Sequence, residues 1–362
     1  MAAVRPALRD AVNGPFPAPS QALKKETNMT QAISPRIGRL MRSDYKGIVI
    51  GGILLIGLII AASVMVEGFA SANNLRSILL LASFLGLAAL GQTIVSLVGG
   101  LDLSIPFVIG ASNILLAYLF GTALPPVLAI VVILAMGAGI GFLNGVLSYR
   151  LQAQALILTL GTGFSIVGAA QIFTTFGSQF SGTVFSQVPD WFAAISSING
   201  TTFGFPVPPA VPIWAAVAFA VIFWISRTRS GRAIYAIGGN RIAAARLSIS
   251  ERRVWVSAYT ISGLTAALTG VLLLGFSGGG FVGVGDPYLF STVAAVVVGG
   301  TSLLGGAGGY GATIIGVLVL QVLTSFLVGM GLSFAAQQAV FGLLILAMVS
   351  VYARAPHIRN QI

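Results

Sequence analysis

The sequence predicts an all-α polytopic membrane protein of about ten transmembrane helices, some of them discontinuous, with the N- and C-termini cytoplasmic. Three observations predict it. Hydrophobic residues make up 56% of the 362 and charged residues only 7%, with a mean hydropathy of +0.97. A soluble domain carries about 25% charged residues. The apolar residues also fall into successive runs, many of them about the 20 residues that a bilayer crossing needs. The cations gather outside those runs: seven of the 19 Lys and Arg lie in 227–253, against the single acid Glu251. Lys and Arg beside spans resist translocation, so this loop is expected inside the cell and fixes the topology of the rest.

In chain order, residues 1–46 hold five prolines, eight basic and three acidic residues and no long apolar run. This composition cannot bury enough apolar surface to fold, and the stretch is expected to be a disordered basic cytoplasmic tail. Gly47–Val66 is the first run long enough to span. Ala70-Ser71-Ala72 behind it mimics a signal-peptidase site. The run exceeds a signal's apolar region and many spans follow, so it reads as an uncleaved first helix. Further runs lie at about 75–98, 105–120, 125–147, 155–175, 211–226, 254–276, 289–304, 309–328 and 335–352. With the tail inside, Arg150, the 227–253 loop, Arg354 and Arg359 all fall inside, as the positive-inside rule asks. The transmembrane domain is thus expected over 47–352, with 353–362 as a cytoplasmic C-terminal tail. The largest external segment is 177–210, which has no Lys or Arg and one acid, Asp190. Trp191 and Phe192 are expected at the headgroup level.

Within 227–253, Gly238 and Gly239 are expected to form a sharp turn, and Asn240 to cap a short helix over 241–247. Ala243, Ala244 and Ala245 favour helix and leave a low-profile surface beside Arg246 and Leu247. On its residues alone the loop either sets orientation by charge or docks another protein.

Two glycine-rich strings interrupt the apolar pattern. In the first, Gly99 and Gly100 stop a helix, Asp102 or Ser104 caps the next and Pro106 enters its first turn. Asp102 is also an ionisable group between spans, a functional candidate for that reason. The second string runs from Gly299, Gly300, Thr301 and Ser302 to Gly308-Gly309. It lacks the Gly-Lys-Ser/Thr ending of a phosphate loop, and no Lys follows Lys46, so no ATP site of that kind exists in the chain. The spans carry neutral polar residues, among them Gln92, Thr93, Ser96, Asn113, Asn144, Thr159, Gln171 and Gln321. Such amides and hydroxyls suit an uncharged, hydroxylated cargo, or they bond one helix to another. Gln92 and Ser96 share a helical face beside the first break.

The chemistry excluded is broad. There is no Cys, and His357 is the single His, so disulfides, thiol catalysis, metal clusters and His-based triads are set aside. The net charge of +11 sits in the tail, one loop and the C-terminus, which suits orientation and anionic headgroups rather than nucleic acid.

Three strings occur in order: GGLDLS at 99–104, GRAIYAIGGNRIAAARLS at 231–248 and VVVGGTSLLGGAGG at 296–309. With the span pattern they resemble the permease subunits of bacterial ABC importers of the ribose, arabinose, xylose and galactose type, over roughly 47–352. Three separated motifs in one order are more specific than any alone. One position departs: a Gly is expected after Ala-Arg-Leu-Ser, where this chain has Ile249. The resemblance implies that the string at 231–248 carries the coupling helix, a lever over 240–247 entered through Gly238 and Gly239, seated in a groove of an ABC ATPase subunit. It implies a second permease chain, identical or paralogous, and a periplasmic sugar-binding protein outside, for which Asp190 and Asp286 are candidate contacts. No cofactor would be bound by this chain; ATP and Mg would belong to the ATPase. The bacterial inner membrane would hold the assembly, and Met29 gives a length nearer the family's than Met1. The alternatives are a nucleoside, branched-chain amino acid or autoinducer-2 cargo, an ion-coupled secondary transporter, or a non-transporting assembly protein.

Overall fold

The computed structural model describes residues 48–151, 154–175, 182–185 and 187–353. The expected tail at 1–46 and nearly all of that at 353–362 lie outside the described residues. The helices are α1 (Ile48–Met65), α2 (Ala72–Leu97), α3 (Ile105–Phe120), α4 (Pro126–Arg150), α5 (Ala155–Thr175), α6 (Asp190–Ile195) and α7 (Ala210–Arg227). They continue with α8 (Arg229–Gly239), α9 (Arg241–Arg246), α10 (Glu251–Ser277), α11 (Tyr288–Val298), α12 (Tyr310–Gly329) and α13 (Phe334–Ala353). The expected runs are occupied in order by α1 to α5, α7 and α10 to α13. By length and composition α1, α2, α4, α5, α7, α10 and α12 are able to cross a membrane. The run expected at 289–304 is shorter as a helix, because α11 stops at Val298 where Gly299 and Gly300 end it.

Burial sorts the spans into two kinds. Of the most apolar window of each helix, 89% is buried in α2 and 67% in α10, against 11% in α1, 17% in α5 and 22% in α4 and α7. Apolar side chains cannot face water over that area, so the exposed faces of α1, α4, α5 and α7 meet lipid or another chain, and α2 and α10 form the interior. Small residues allow that interior to close. Gly137, Gly141 and Gly145 recur every fourth residue of α4, where a methyl would strike the backbone or Cβ atoms of α10. Across the other side of α2, Tyr310 donates to the Gly86 carbonyl at 2.7 Å and accepts from Trp214 Nε1 at 2.8 Å, tying α2, α7 and α12 together.

At the Ser277 end of α10, β1 (Thr183–Val184) pairs antiparallel with β2 (Gly280–Phe281). Beside them α6 packs on α10, with Gly275 next to the Phe192 carbonyl. Trp191 is half exposed, as a headgroup residue would be, but Phe192 is buried and packs edge-on against Phe120.

Candidate coupling and translocation site

The expected helix after Asn240 is present as α9, and Asn240 caps it by accepting from the Ala243 N–H at 3.0 Å. The helix ends one residue early: Leu247 is its C-cap, and Ser248 takes a left-handed φ of 58°. Ser248 N–H then bonds the Ala245 carbonyl and Ile249 N–H the Ala244 carbonyl, the paired closure of a Schellman turn. The alanines do not form one surface. Ala244 is buried, while Ala243, Ala245, Arg246 and Leu247 are exposed. Ile242 and Leu247 are 71% and 72% exposed, giving α9 an apolar outer face.

The sharp turn expected at Gly238-Gly239 is absent. Both glycines complete α8, a helix that the sequence reading missed. Its signals were present: Thr228 caps it by accepting from the Gly231 N–H, and Gly231, Ile234 and Ile237 bury one face at three-residue spacing. Its glycines masked them. Gly238 serves close approach, since a Cβ there would meet the Leu97 carbonyl oxygen and the Gly306 backbone nitrogen.

That contact brings three parts of the chain together. The end of α2, the second glycine-rich string and α8 converge: Gly306 N–H donates to the Leu97 carbonyl at 2.9 Å, and Tyr235 Oη to the Gly308 carbonyl at 2.8 Å. Arg241 at the head of α9 reaches α10, 3.2 Å from Glu251 and 5.0 Å over the Trp255 ring. From Glu251 one face of α10 continues through Trp255, Tyr259 and Ser262, at steps of four, four and three. Trp255 Nε1 donates to Ser148 Oγ on α4 at 2.9 Å, Tyr259 Oη to the Leu101 carbonyl at 3.1 Å, and Ser262 Oγ to Asp102 Oδ2 at 2.7 Å. Asp102 therefore lies about 16 Å along α10 from Glu251.

Asp102 is buried and fully engaged. Its Oδ1 accepts from Ser104 N–H at 3.0 Å and Ser104 Oγ at 2.6 Å. Ser104 Oγ in turn accepts from Asn144 Nδ2 at 2.8 Å, and Asn144 Oδ1 from Thr162 Oγ1 at 2.7 Å. Of the two expected caps, Asp102 does the capping; Ser104 holds the N-cap position without a side-chain cap bond of its own. The second break is held by hydroxyls: Gly309 N–H donates to Thr301 Oγ1 at 3.1 Å, and Thr93 Oγ1 to Thr313 Oγ1 at 3.0 Å. Ser302 N–H bonds the Ala307 carbonyl, closing the loop.

Several of the polar residues in the spans bond one segment to another. Asn113 donates to the Gly270 carbonyl and accepts from Phe281 N–H, Asn144 is spent as above, and Thr159 accepts from Leu103 N–H. Gln92 and Ser96 differ. Both are fully buried on α2, and neither amide atom of Gln92 nor the Ser96 hydroxyl has a partner among the described residues. Buried amides are rarely left so, and these groups retain their whole hydrogen-bonding capacity.

The two candidate outer contacts separate. Asp190 is exposed at the first turn of α6, at the Ser277 end of α10. Asp286 departs from the expected outer position. The chain after β2 runs back along α3: a Cβ at Gly280 would meet Ala117 and Ile114, one at Gly110 the Val282 carbonyl, and one at Gly285 the Pro106 carbonyl. The segment carries small residues because it lies flat against α3, and it delivers Asp286 to the level where α3 begins, near the Asp102 network.

Comparison with known proteins now places the chain. The family described as branched-chain amino acid transport system / permease component matches residues 74–349. The ribose import permease of Haemophilus influenzae is 35% identical over 299 residues, 82% of this chain and 90% of that protein. That of Escherichia coli is 33% identical over 299 residues, 83% and 91% of the two chains. An autoinducer 2 import system permease of Escherichia coli is 29% identical over 265 residues, 73% and 79%. No solved structure matches the chain. With its family match, its long similarity to ribose import permeases and its succession of apolar helices, the chain is a multi-pass membrane protein that belongs to this ABC importer permease family.

Proposed function

We propose that the chain is the transmembrane subunit of a binding-protein-dependent ABC importer for a monosaccharide, a pentose or a hexose, in the bacterial inner membrane. The observation that carries this reading is the convergence of α8 on both glycine-rich breaks, with α9 tied to α10 through Arg241, in a chain similar to ribose import permeases over most of its length. A separate ATPase, with its ATP and Mg, seats on the exposed face of α9. Its closure moves α9, and Arg241 passes that motion to α10. The face from Glu251 to Ser262 carries it to the Asp102 network, where α2 ends and α3 begins. Gln92 and Ser96, buried and uncommitted on α2 beside that network, offer hydrogen bonds to sugar hydroxyls in passage. A second permease chain completes the pathway, and a sugar-binding protein docks at the Ser277 end of α10, where Asp190 is exposed.

The test is reconstitution of the full chain with its ATPase and binding protein, read as ATP-dependent uptake of labelled pentoses, hexoses, nucleosides and amino acids. Uptake of one sugar, abolished without the ATPase, is the expected result. Uptake without any ATPase would sink the coupling assignment. The similarity to an autoinducer 2 permease puts that compound in the panel as the second cargo. Docking is tested at Ala245, not Ala244. Ala245→Trp is expected to lower co-purification of the ATPase by roughly 10-fold through a clash at the interface, while the chain inserts normally; Ala244→Trp would instead break the packing of α9 itself.

A further inference from the structure

The position of Asp286 conflicts with a lipid-facing surface. Along α10, α3 begins beside Ser262 through Asp102, and Ile109 lies beside Gly270, so the start of α3 sits near the middle of α10. Gly285 lies against Pro106 at that start. Asp286 is therefore roughly 16–22 Å from the Glu251 end of a helix roughly 40 Å long. This is the mid-level of a bilayer whose apolar core is about 30 Å thick. At that level Asp286, Pro287 and Gly283 are exposed, and among the described residues the Asp286 carboxylate has no cation opposite it. The backbone from Gly278 to Gly285 is a short strand and a single 3-10 turn rather than a membrane helix. An exposed carboxylate and non-helical backbone are each costly against hydrocarbon, and both are accommodated where they border water or protein.

We infer that the face formed by Gly283, Asp286 and Pro287 lines a water-filled translocation pathway, and that Asp286 is a site for a polyhydroxylated cargo, its carboxylate accepting from neighbouring hydroxyls. The cargo class rests on the reading of the chain as a sugar permease; the water-filled face does not. The 278–287 segment and the half-length α11 then make one discontinuous crossing, with Asp286 at the joint.

The chain has no cysteine, so single cysteines report without background. Asp286→Cys and Gly283→Cys are compared with Ala135→Cys, a small exposed residue two positions from Gly137 on α4, on the side away from α10. In proteoliposomes holding the full chain with its ATPase and binding protein, a membrane-impermeant methanethiosulfonate is expected to modify positions 286 and 283 roughly 10-fold or more faster than 135, because thiolate forms only where water reaches. Excess ribose with ATP is expected to slow modification of Gly283→Cys, in which the Asp286 carboxylate is intact and next to the reporter. Equal, slow labelling at all three positions would overturn the water-filled face. Fast labelling of Gly283→Cys that neither ribose nor any cargo found in the uptake panel slows would overturn the cargo site. Protection by another pentose or a hexose would support both readings, protection by a nucleoside would sink the sugar reading and leave the Asp286 site standing, and protection by an amino acid would overturn both. Gly283→Cys decides the issue should Asp286→Cys not insert.

Discussion

Val98-Gly99-Gly100 and Val298-Gly299-Gly300 are the same tripeptide at the ends of two helices, and they divide their labour in opposite order. At the end of α2 the first glycine turns left-handed, with Gly99 at φ 83°, and the second gives close approach, a Cβ at Gly100 meeting Tyr259 Oη. At the end of α11 the first glycine gives close approach, since Gly299 lies against the Ala312 carbonyl of α12, and the second turns, with Gly300 at φ 85°. Both close as Schellman turns: Gly100 N–H to the Val95 carbonyl, and Thr301 N–H to the Val296 carbonyl, each at 3.0 Å. The restarts differ more than the stops. The first break restarts its helix on a buried carboxylate that gathers α3, α4, α5 and α10. The second does so on hydroxyls and glycine backbone. One is a carboxyl hub, the other a hydroxyl hinge, and Gly238 of α8 touches both.

That shared point carries the largest expected effect. At Gly238 a side chain would meet backbone on both sides, so nothing there relaxes by changing rotamer. Gly238→Val is expected to cost about 3 kcal/mol, read as a lowered denaturation midpoint in detergent, and to abolish coupled uptake. A normal midpoint would mean that α8 does not seat on the two breaks.

The hub and the hinge are separated by a pair of substitutions. Asp102→Ala leaves Ser104 N–H and the Ser262 hydroxyl without their acceptor, a loss of roughly 2–4 kcal/mol for buried groups. Asp102→Asn keeps an acceptor for Ser104 and lets Ser262 reverse its bond, so about 1 kcal/mol is expected. At the hinge, Thr301→Val orphans only Gly309 N–H, also about 1 kcal/mol. If Asp102→Asn stays folded yet loses uptake entirely, the carboxylate's charge works in transport beyond its capping role. If Asp102→Ala and Thr301→Val cost the same, the hub is no more than a second hinge.

How far these features were legible in the sequence depends on their range. The helices α1 to α5, α7, α10, α12 and α13 were readable because apolar runs of bilayer length have few other uses, and Asn240 was readable because a cap acts within three residues. The two breaks were visible as glycine clusters, but their meeting was not, since it joins Leu97, Gly238 and Gly306 across more than 200 residues of sequence. Ala244 was misjudged for a related reason. Three alanines look alike in a string, and only the neighbour that α9 packs against decides which one is buried. Asp286 was expected outside as a candidate contact for a binding protein, and no local signal reports that the glycines before it lie along α3. The chain instead uses those glycines to lie along α3 and starts a helix half as deep.

The smallest expected effect concerns the Schellman turn at the end of α9, which achieves with Ser248 what the breaks achieve with glycine. A left-handed φ of 58° strains an L-residue, by about 1–2 kcal/mol, whereas glycine adopts it freely and gives back roughly 0.5–1 kcal/mol as added freedom in the unfolded chain. Ser248→Gly is thus expected to stabilise by about 0.5–1 kcal/mol, raising the denaturation midpoint slightly. Its side chain is exposed, and no hydrogen bond of the Ser248 hydroxyl opposes the change among the described residues. The glycine that the resemblance led one to expect at 249 belongs, by this geometry, one residue earlier. Ile249→Gly should therefore give no gain, because 249 supplies an amide at negative φ to the Ala244 carbonyl. A stabilising Ile249→Gly with a neutral Ser248→Gly would move the turn by one residue, and with it the end of the surface that α9 presents to its partner.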